Sequence, residues 1–212
     1  MRLKLLAITA LAASVMVACT SDPKVADKAT APKAEPALLT GASAEVLARN
    51  CDGCHGTNGN SSGPAIPTIA GMSVDYLSES MEAYRDGDTQ STIMGRIMKG
   101  YTEEEIDKIA EYFAAKKFQP AAQAHNAGQV KRGKMLHDKY CEKCHADGGS
   151  NVEDDSGLLA GQWIPYLEYT MQDYAEGDRD MVKKMQKKLD AMIAKEGNSG
   201  VEALIQYYGS QK

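Results

Sequence analysis

Cys-Xaa-Xaa-Cys-His occurs twice in the chain, as Cys51-Asp-Gly-Cys54-His55 and as Cys141-Glu-Lys-Cys144-His145, with the copies 90 residues apart. This spacing is the attachment signature of a c-type haem: two thiols add across the vinyl groups, and one turn of chain presents the adjacent imidazole to one face of the iron. Cys51, Cys54, Cys141 and Cys144 are therefore candidate attachment sites for two covalent haem c groups, and His55 and His145 are candidate iron ligands. Zinc modules seldom use such a motif in duplicate without further cysteines.

The surroundings of the motifs match as well. At the same offset, Ala70-Gly71 reappears as Ala160-Gly161, Tyr76-Leu77 as Tyr166-Leu167, Met81 as Met171, Tyr84 as Tyr174 and Gly87-Asp88 as Gly177-Asp178. Identities held in register imply an internal repeat, here a tandem duplication of one unit. The reading divides the chain into residues 1–18, 19–40, a first unit over 41–118, a linker over 119–126 and a second unit over 127–212.

The N-terminus reads as a processing signal. Arg2 and Lys4 precede an apolar run from Leu5 to Val17, which is of export-signal length and too short to span a bilayer as a mature helix. Met16-Val17-Ala18-Cys19 resembles a lipobox, which would make Cys19 the lipidated first residue; cleavage near Ala18 leaving a free thiol is the alternative. Of the 5 cysteines the two motifs use four and Cys19 is the fifth, so no disulfide framework is available. Residues 20–40, rich in Ala, Lys, Pro, Asp and Thr, read as a solvated tether. A lipid on Cys19 would hold the units at a membrane on the periplasmic side of an exporting cell.

Charge excludes one broad class. The net charge is −5, with 7 Lys/Arg against 12 Asp/Glu over 41–118 and 12 against 14 over 127–212. With no basic excess and no aromatic stacking surface, the chain is not a nucleic-acid binder.

Hydrophobic periodicity predicts helices and no strands. A short helix carrying Ala44, Leu47 and Ala48 runs into the first motif, and Gly128 to Tyr140 runs into the second. Val74–Tyr84 and Ile164–Tyr174 form a middle pair, and Glu103–Phe118 and Val201–Tyr208 close the units. A haem supplies the apolar centre that units of this size otherwise lack. The second axial position suits a thioether, which is soft and raises the potential. Met94 is the candidate in the first unit, with Met98 on a buried face. Met185 is the candidate in the second, ahead of Met181, because it follows Cys141 at nearly the spacing of Met94 after Cys51. Two six-coordinate irons leave no site for substrate, which argues against a haem peroxidase.

Other residues receive plainer expectations. Met72, Met81, Met135 and Met171 read as core packing, His125 as solvated in the linker, His137 as a surface residue and Trp163 as packing on the second haem. The Gly63-Pro64 segment is a candidate source of a carbonyl for the second nitrogen of His55. The second unit lacks this dipeptide. Lys183, Lys184, Lys187 and Lys188 form a cluster that serves either as a solvated helix face or for a transient charged encounter.

At Ser91-Thr-Ile-Met-Gly-Arg-Ile-Met-Lys-Gly-Tyr101, Lys134-Met-Leu-His-Asp-Lys-Tyr-Cys-Glu-Lys-Cys-His145 and Leu159-Ala-Gly-Gln-Trp-Ile-Pro-Tyr-Leu167, the chain resembles the tandem dihaem class I cytochromes c, and in particular the cytochrome subunit of flavocytochrome c sulfide dehydrogenase. That resemblance implies an all-α fold of two class I cytochrome c domains. It also implies an FAD-containing flavoprotein subunit as electron donor and a soluble or membrane-bound acceptor. The chain itself holds no Gly-Xaa-Gly-Xaa-Xaa-Gly flavin fingerprint, so flavin chemistry would belong to the partner. A free-standing tethered carrier serving a terminal oxidase or reductase is the second reading.

Overall fold

A computed structural model describes residues 41–153 and 156–212, and the expected signal, Cys19 and tether lie outside those residues. The chain forms helices α1 (Ala44–Arg49), α2 (Asp52–His55), α3 (Val74–Asp86), α4 (Met94–Met98), α5 (Glu103–Ala114), α6 (Ala127–Tyr140), α7 (Ala146–Gly149), α8 (Ile164–Glu176), α9 (Lys183–Glu196) and α10 (Asn198–Gly209). No strand occurs among the described residues, so the all-α expectation holds. No helix there is long and apolar enough to cross a membrane.

Local chemistry fixes the helix ends. Ser43, Ser73 and Asn126 accept backbone N–H bonds at the starts of α1, α3 and α6, which satisfies donors that a helix start leaves unpaired. A capping box between Thr102 and Glu105 opens α5. Gly87 and Gly177 end α3 and α8 in the left-handed conformation, 90 residues apart as the repeat requires. Helix α5 stops at Ala114 rather than at Phe118, and α9 carries the lysine cluster on a helix face. Its exposed Lys183, Lys184, Lys187 and Lys188 occupy one face, while buried Met192 and half-buried Leu189 lie on the other.

Each half carries an apolar cluster, and the first also takes in Leu158 from the second half. The first joins Leu47, Leu77, Met81, Met98, Ile106, Ile109 and Phe113; the second joins Leu136, Ile164, Leu167, Met192, Leu204, Tyr207 and Tyr208. In the first half α1 packs on α5, and in the second α6 packs on α10. The α6–α10 approach is close enough that a Cβ at Gly133 would lie 2.0 Å from the Ala203 carbonyl oxygen. Met72 and Met81 are core residues and Met171 packs against the second cluster, as expected. Met135 is not: it is 57% exposed, because the buried face of α6 runs through Gly133, Leu136 and His137.

The halves meet through polar contacts. The buried Gln162 side chain accepts from Thr68 N at 3.0 Å and donates to Thr68 O at 2.9 Å. Trp163 packs against Gly63 and donates its indole N–H to Ser61 O at 3.2 Å. The Trp163 ring thus contacts the loop of the opposite half. Arg179 donates to Tyr76 Oη at 3.3 Å and stacks over Tyr174, with its carbon 5.5 Å from the ring centroid.

Candidate haem sites

Both Cys-Xaa-Xaa-Cys-His segments fold as a single turn closed by the first cysteine's carbonyl. Cys51 O accepts from Cys54 N at 3.1 Å and His55 N at 2.8 Å; Cys141 O accepts from Cys144 N at 3.1 Å and His145 N at 3.0 Å. The turn places both sulfurs and the imidazole on neighbouring positions of one ring of chain, as attachment to a single macrocycle demands. No disulfide joins these four cysteines, of which Cys54 and Cys144 are exposed and Cys51 and Cys141 half-buried. Burial pushes the Cys51 thiol up to about 11, and burial also raises Cys141.

The imidazoles are held differently. His55 is 9% exposed, and its Nδ1 lies 2.9 Å from Pro67 O, which requires Nδ1 to donate. Nε2 is then left free to face a metal, the donor set a haem iron requires. The carbonyl comes from Pro67, three residues beyond the expected Gly63-Pro64: the chain from Gly56 turns back so that Ile69 N and Ala70 N reach Gly59 O, which brings Pro67 over the ring. Burial lowers the His55 pKa, with the Pro67 bond acting in the opposite sense, so the neutral ring, the metal-binding form, is favoured.

His145 is half-buried, and among the described residues its Nδ1 has no partner. At the offset of 90, Pro67 is replaced by Gly157. The backbone differs too. Gly56, after the first motif, takes φ 75° and ψ 164°, a region essentially reserved for glycine. Ala146 stands at the equivalent place and cannot follow. The second half instead turns at Asp147 and Gly148, with φ 54° and 70°. Burial lowers the His145 pKa, and the charge of His137 adds to the effect.

Met94 begins α4 and packs partly buried against the first apolar cluster, while Met98 is 2% exposed within it. Met181 and Met185 are half-buried, and neither is among the residues packed against the second cluster. His125 is exposed in the linker, as expected. His137 is the main residue that sequence reasoning misplaced: it is 0% exposed and hydrogen-bonded on both ring nitrogens. The repeat held the signal, since the equivalent residue at an offset of 90 is Leu47, itself 0% exposed.

The Cytochrome c family profile matches residues 42–115. The cytochrome subunit of sulfide dehydrogenase from Chlorobaculum tepidum is 49% identical over 86 residues, covering 40% of this chain and 77% of that protein. Cytochrome c4 from Pseudomonas aeruginosa is 27% identical over 175 residues, 78% of this chain and 87% of the relative. The crystal structure of reduced recombinant cytochrome c4 from Pseudomonas stutzeri superposes with a TM-score of 0.67 at 25% identity, covering 80% of this chain and 99% of that one. With two intact attachment turns, a neutral buried imidazole beside one of them and helical halves like those of a dihaem relative, the chain belongs to the cytochrome c family, as an electron carrier with two covalent haem c groups.

Proposed function

We propose that the chain is the electron-accepting subunit of a sulfide-oxidising flavocytochrome c, taking electrons from an FAD-containing flavoprotein and passing them to a soluble or membrane-bound acceptor. The observation that carries this reading is the 49% identity to the cytochrome subunit of a sulfide dehydrogenase. The domains are those drawn from the repeat: 41–118 and 127–212, joined by 119–126, with 1–18 an export signal and a lipid on Cys19 anchoring the periplasmic protein.

Haem, when bound, supplies a one-electron Fe(III)/Fe(II) couple at each site. Cys51 and Cys54, and Cys141 and Cys144, fix the two rings covalently. His55 and Met94 would hold the first iron, and His145 and Met185 the second. The Pro67 carbonyl holds His55 in one tautomer and orientation and raises its basicity. The Gln162 clasp and Trp163 hold the two halves in fixed relation, which supports electron passage between sites without domain motion.

A spectrum of the tagged protein purified from its own membranes tests the reading. A flavin signal, a second polypeptide and haem reduction on adding sulfide are expected. The similarity to cytochrome c4 over most of both chains favours a second reading, a free-standing lipid-tethered carrier. Haem alone, with no partner and no response to sulfide, would establish that one instead.

A further inference from the structure

We propose that Gln162, in the second half, is a positioning residue for the first haem: through the Pro67–Thr68 peptide it strengthens the hydrogen bond made by His55 and lowers the reduction potential of the first iron. The proposal rests on the reading that His55 ligates that iron.

The two bonds concerned share one peptide group. His55 Nδ1 lies 2.9 Å from Pro67 O, and Thr68 N donates to Gln162 Oε1 at 3.0 Å. Pro67 O and Thr68 N are the acceptor and the donor of the same amide. That peptide is trans, so its C=O and N–H point in opposite directions. A single line of hydrogen bonds therefore runs from the Gln162 side chain, through the amide, to the His55 ring. Valence fixes every direction in it. A carbonyl only accepts and a backbone N–H only donates, so His55 donates from Nδ1 and Gln162 presents its oxygen. Gln162 Nε2 donates to Thr68 O at 2.9 Å, which agrees with that orientation and grips Thr68 on both flanks.

The surroundings keep this line dry and rigid. Gln162 is 0% exposed and Thr68 2% exposed, so water does not compete for the bonds. Gln123 Nε2 holds the Gln162 backbone carbonyl at 2.8 Å, Trp163 N gives Oε1 a second donor at 3.2 Å, and Ile69 N reaches Gly59 O at 2.8 Å beyond Thr68. In such a site hydrogen bonds in series polarise one another. A Thr68 N–H engaged by Gln162 leaves the Pro67 oxygen more negative, so it draws harder on the Nδ1 proton. His55 becomes the more basic ligand, and ferric iron is favoured.

The repeat supplies an internal control. At the offset of 90, Thr68 corresponds to Leu158 and Gln162 to Met72, so the reciprocal positions are apolar, and both side chains lie in the first apolar cluster. On that side His145 Nδ1 has no partner among the described residues. Apolar residues thus serve at the reciprocal positions, whereas a buried glutamine is costly unless each of its polar atoms is paired. The half whose loop is clasped has the histidine bond, and the half without the clasp lacks it.

Redox titration of the intact dihaem protein, with each haem assigned by its NMR methyl signals, tests this. Gln162→Met, which copies Met72, is expected to raise the first haem's midpoint and leave the second unmoved. In the reduced protein it should also shift the His55 Nδ1 proton upfield, as that bond weakens. Trp163→Phe removes a different bond between the halves, from the indole N–H to Ser61 O, and leaves the Pro67–Thr68 peptide alone; it should move neither midpoint. An unmoved or lowered first midpoint in Gln162→Met, or an equal shift in both variants, would overturn the proposal. Should Gln162→Met fail to fold, couplings across hydrogen bonds in the reduced wild type decide. Couplings from Thr68 N to the Gln162 side-chain carbonyl carbon and from His55 Nδ1 to the Pro67 carbonyl carbon support the line, and the absence of either overturns it. The His55 ring protons check the underlying reading separately: strong ring-current shifts establish ligation, and ordinary positions would remove the reading and the proposal together.

Discussion

The two halves share a helix order but not the way they hold their sites. In the first, α1 and α4 are helices of 6 and 5 residues, the histidine is tied to Pro67, and the space behind the first cysteine is apolar. In the second, α6 and α9 each run 14 residues, His145 Nδ1 is bare among the described residues, and the equivalent space is polar. The identities that survive duplication, such as the glycine caps and the middle-helix tyrosines, maintain the scaffold. The identities in register end at Asp88 and Asp178, so the last third of each half has diverged as well as the surroundings of the attachment turns.

Removing a haem should separate the halves most sharply. Helices of one to two turns are marginal without tertiary support, so Cys51→Ser with Cys54→Ser should leave one haem per chain and melt much of the first half. Cys141→Ser with Cys144→Ser should leave α6 and α10 largely helical. Circular dichroism beside a haem assay would show it, and equal helix loss in the two variants would break the comparison.

Gly133→Val should destabilise the second half by about 3 kcal/mol in denaturant unfolding, because its Cβ meets the Ala203 backbone rather than a movable side chain. Gln162→Ala leaves the buried N–H and C=O of Thr68 unpaired and should cost about 2 kcal/mol, with both halves losing stability together since the clasp belongs to both. Met94→Ala and Met185→Ala should each abolish the weak far-red methionine–iron band of one haem and lower its potential; an unchanged spectrum in Met185→Ala would transfer the role to Met181. The smallest effect is expected at the α5 cap, where Thr102→Ala should cost about 1 kcal/mol in the first half alone.

Much of this was legible in the sequence because it depends on local spacing: the attachment turns, the repeat and the middle helices. What escaped depends on how the chain closes on itself. The carbonyl for His55 comes from Pro67 because the loop folds back onto Gly59, a path that no dipeptide encodes. Trp163 crosses to the other half, so its partner is not set by its neighbours in sequence. Met135 and His137 exchange their expected places because the face of α6 is chosen by α10. The helical spacing of Gly133, Leu136 and Tyr140 carried that choice, and the equivalence of His137 with Leu47 would have confirmed it.

The most direct test is a spectroelectrochemical titration of the intact wild-type chain. Under the proposed ligation the Pro67 carbonyl would make His55 the more basic ligand and favour ferric iron at the first haem, whereas His145 Nδ1 has no such partner among the described residues. Two one-electron waves are therefore predicted, with the second haem reduced first. A single wave in which both haems titrate together, or the reverse order, would contradict the account.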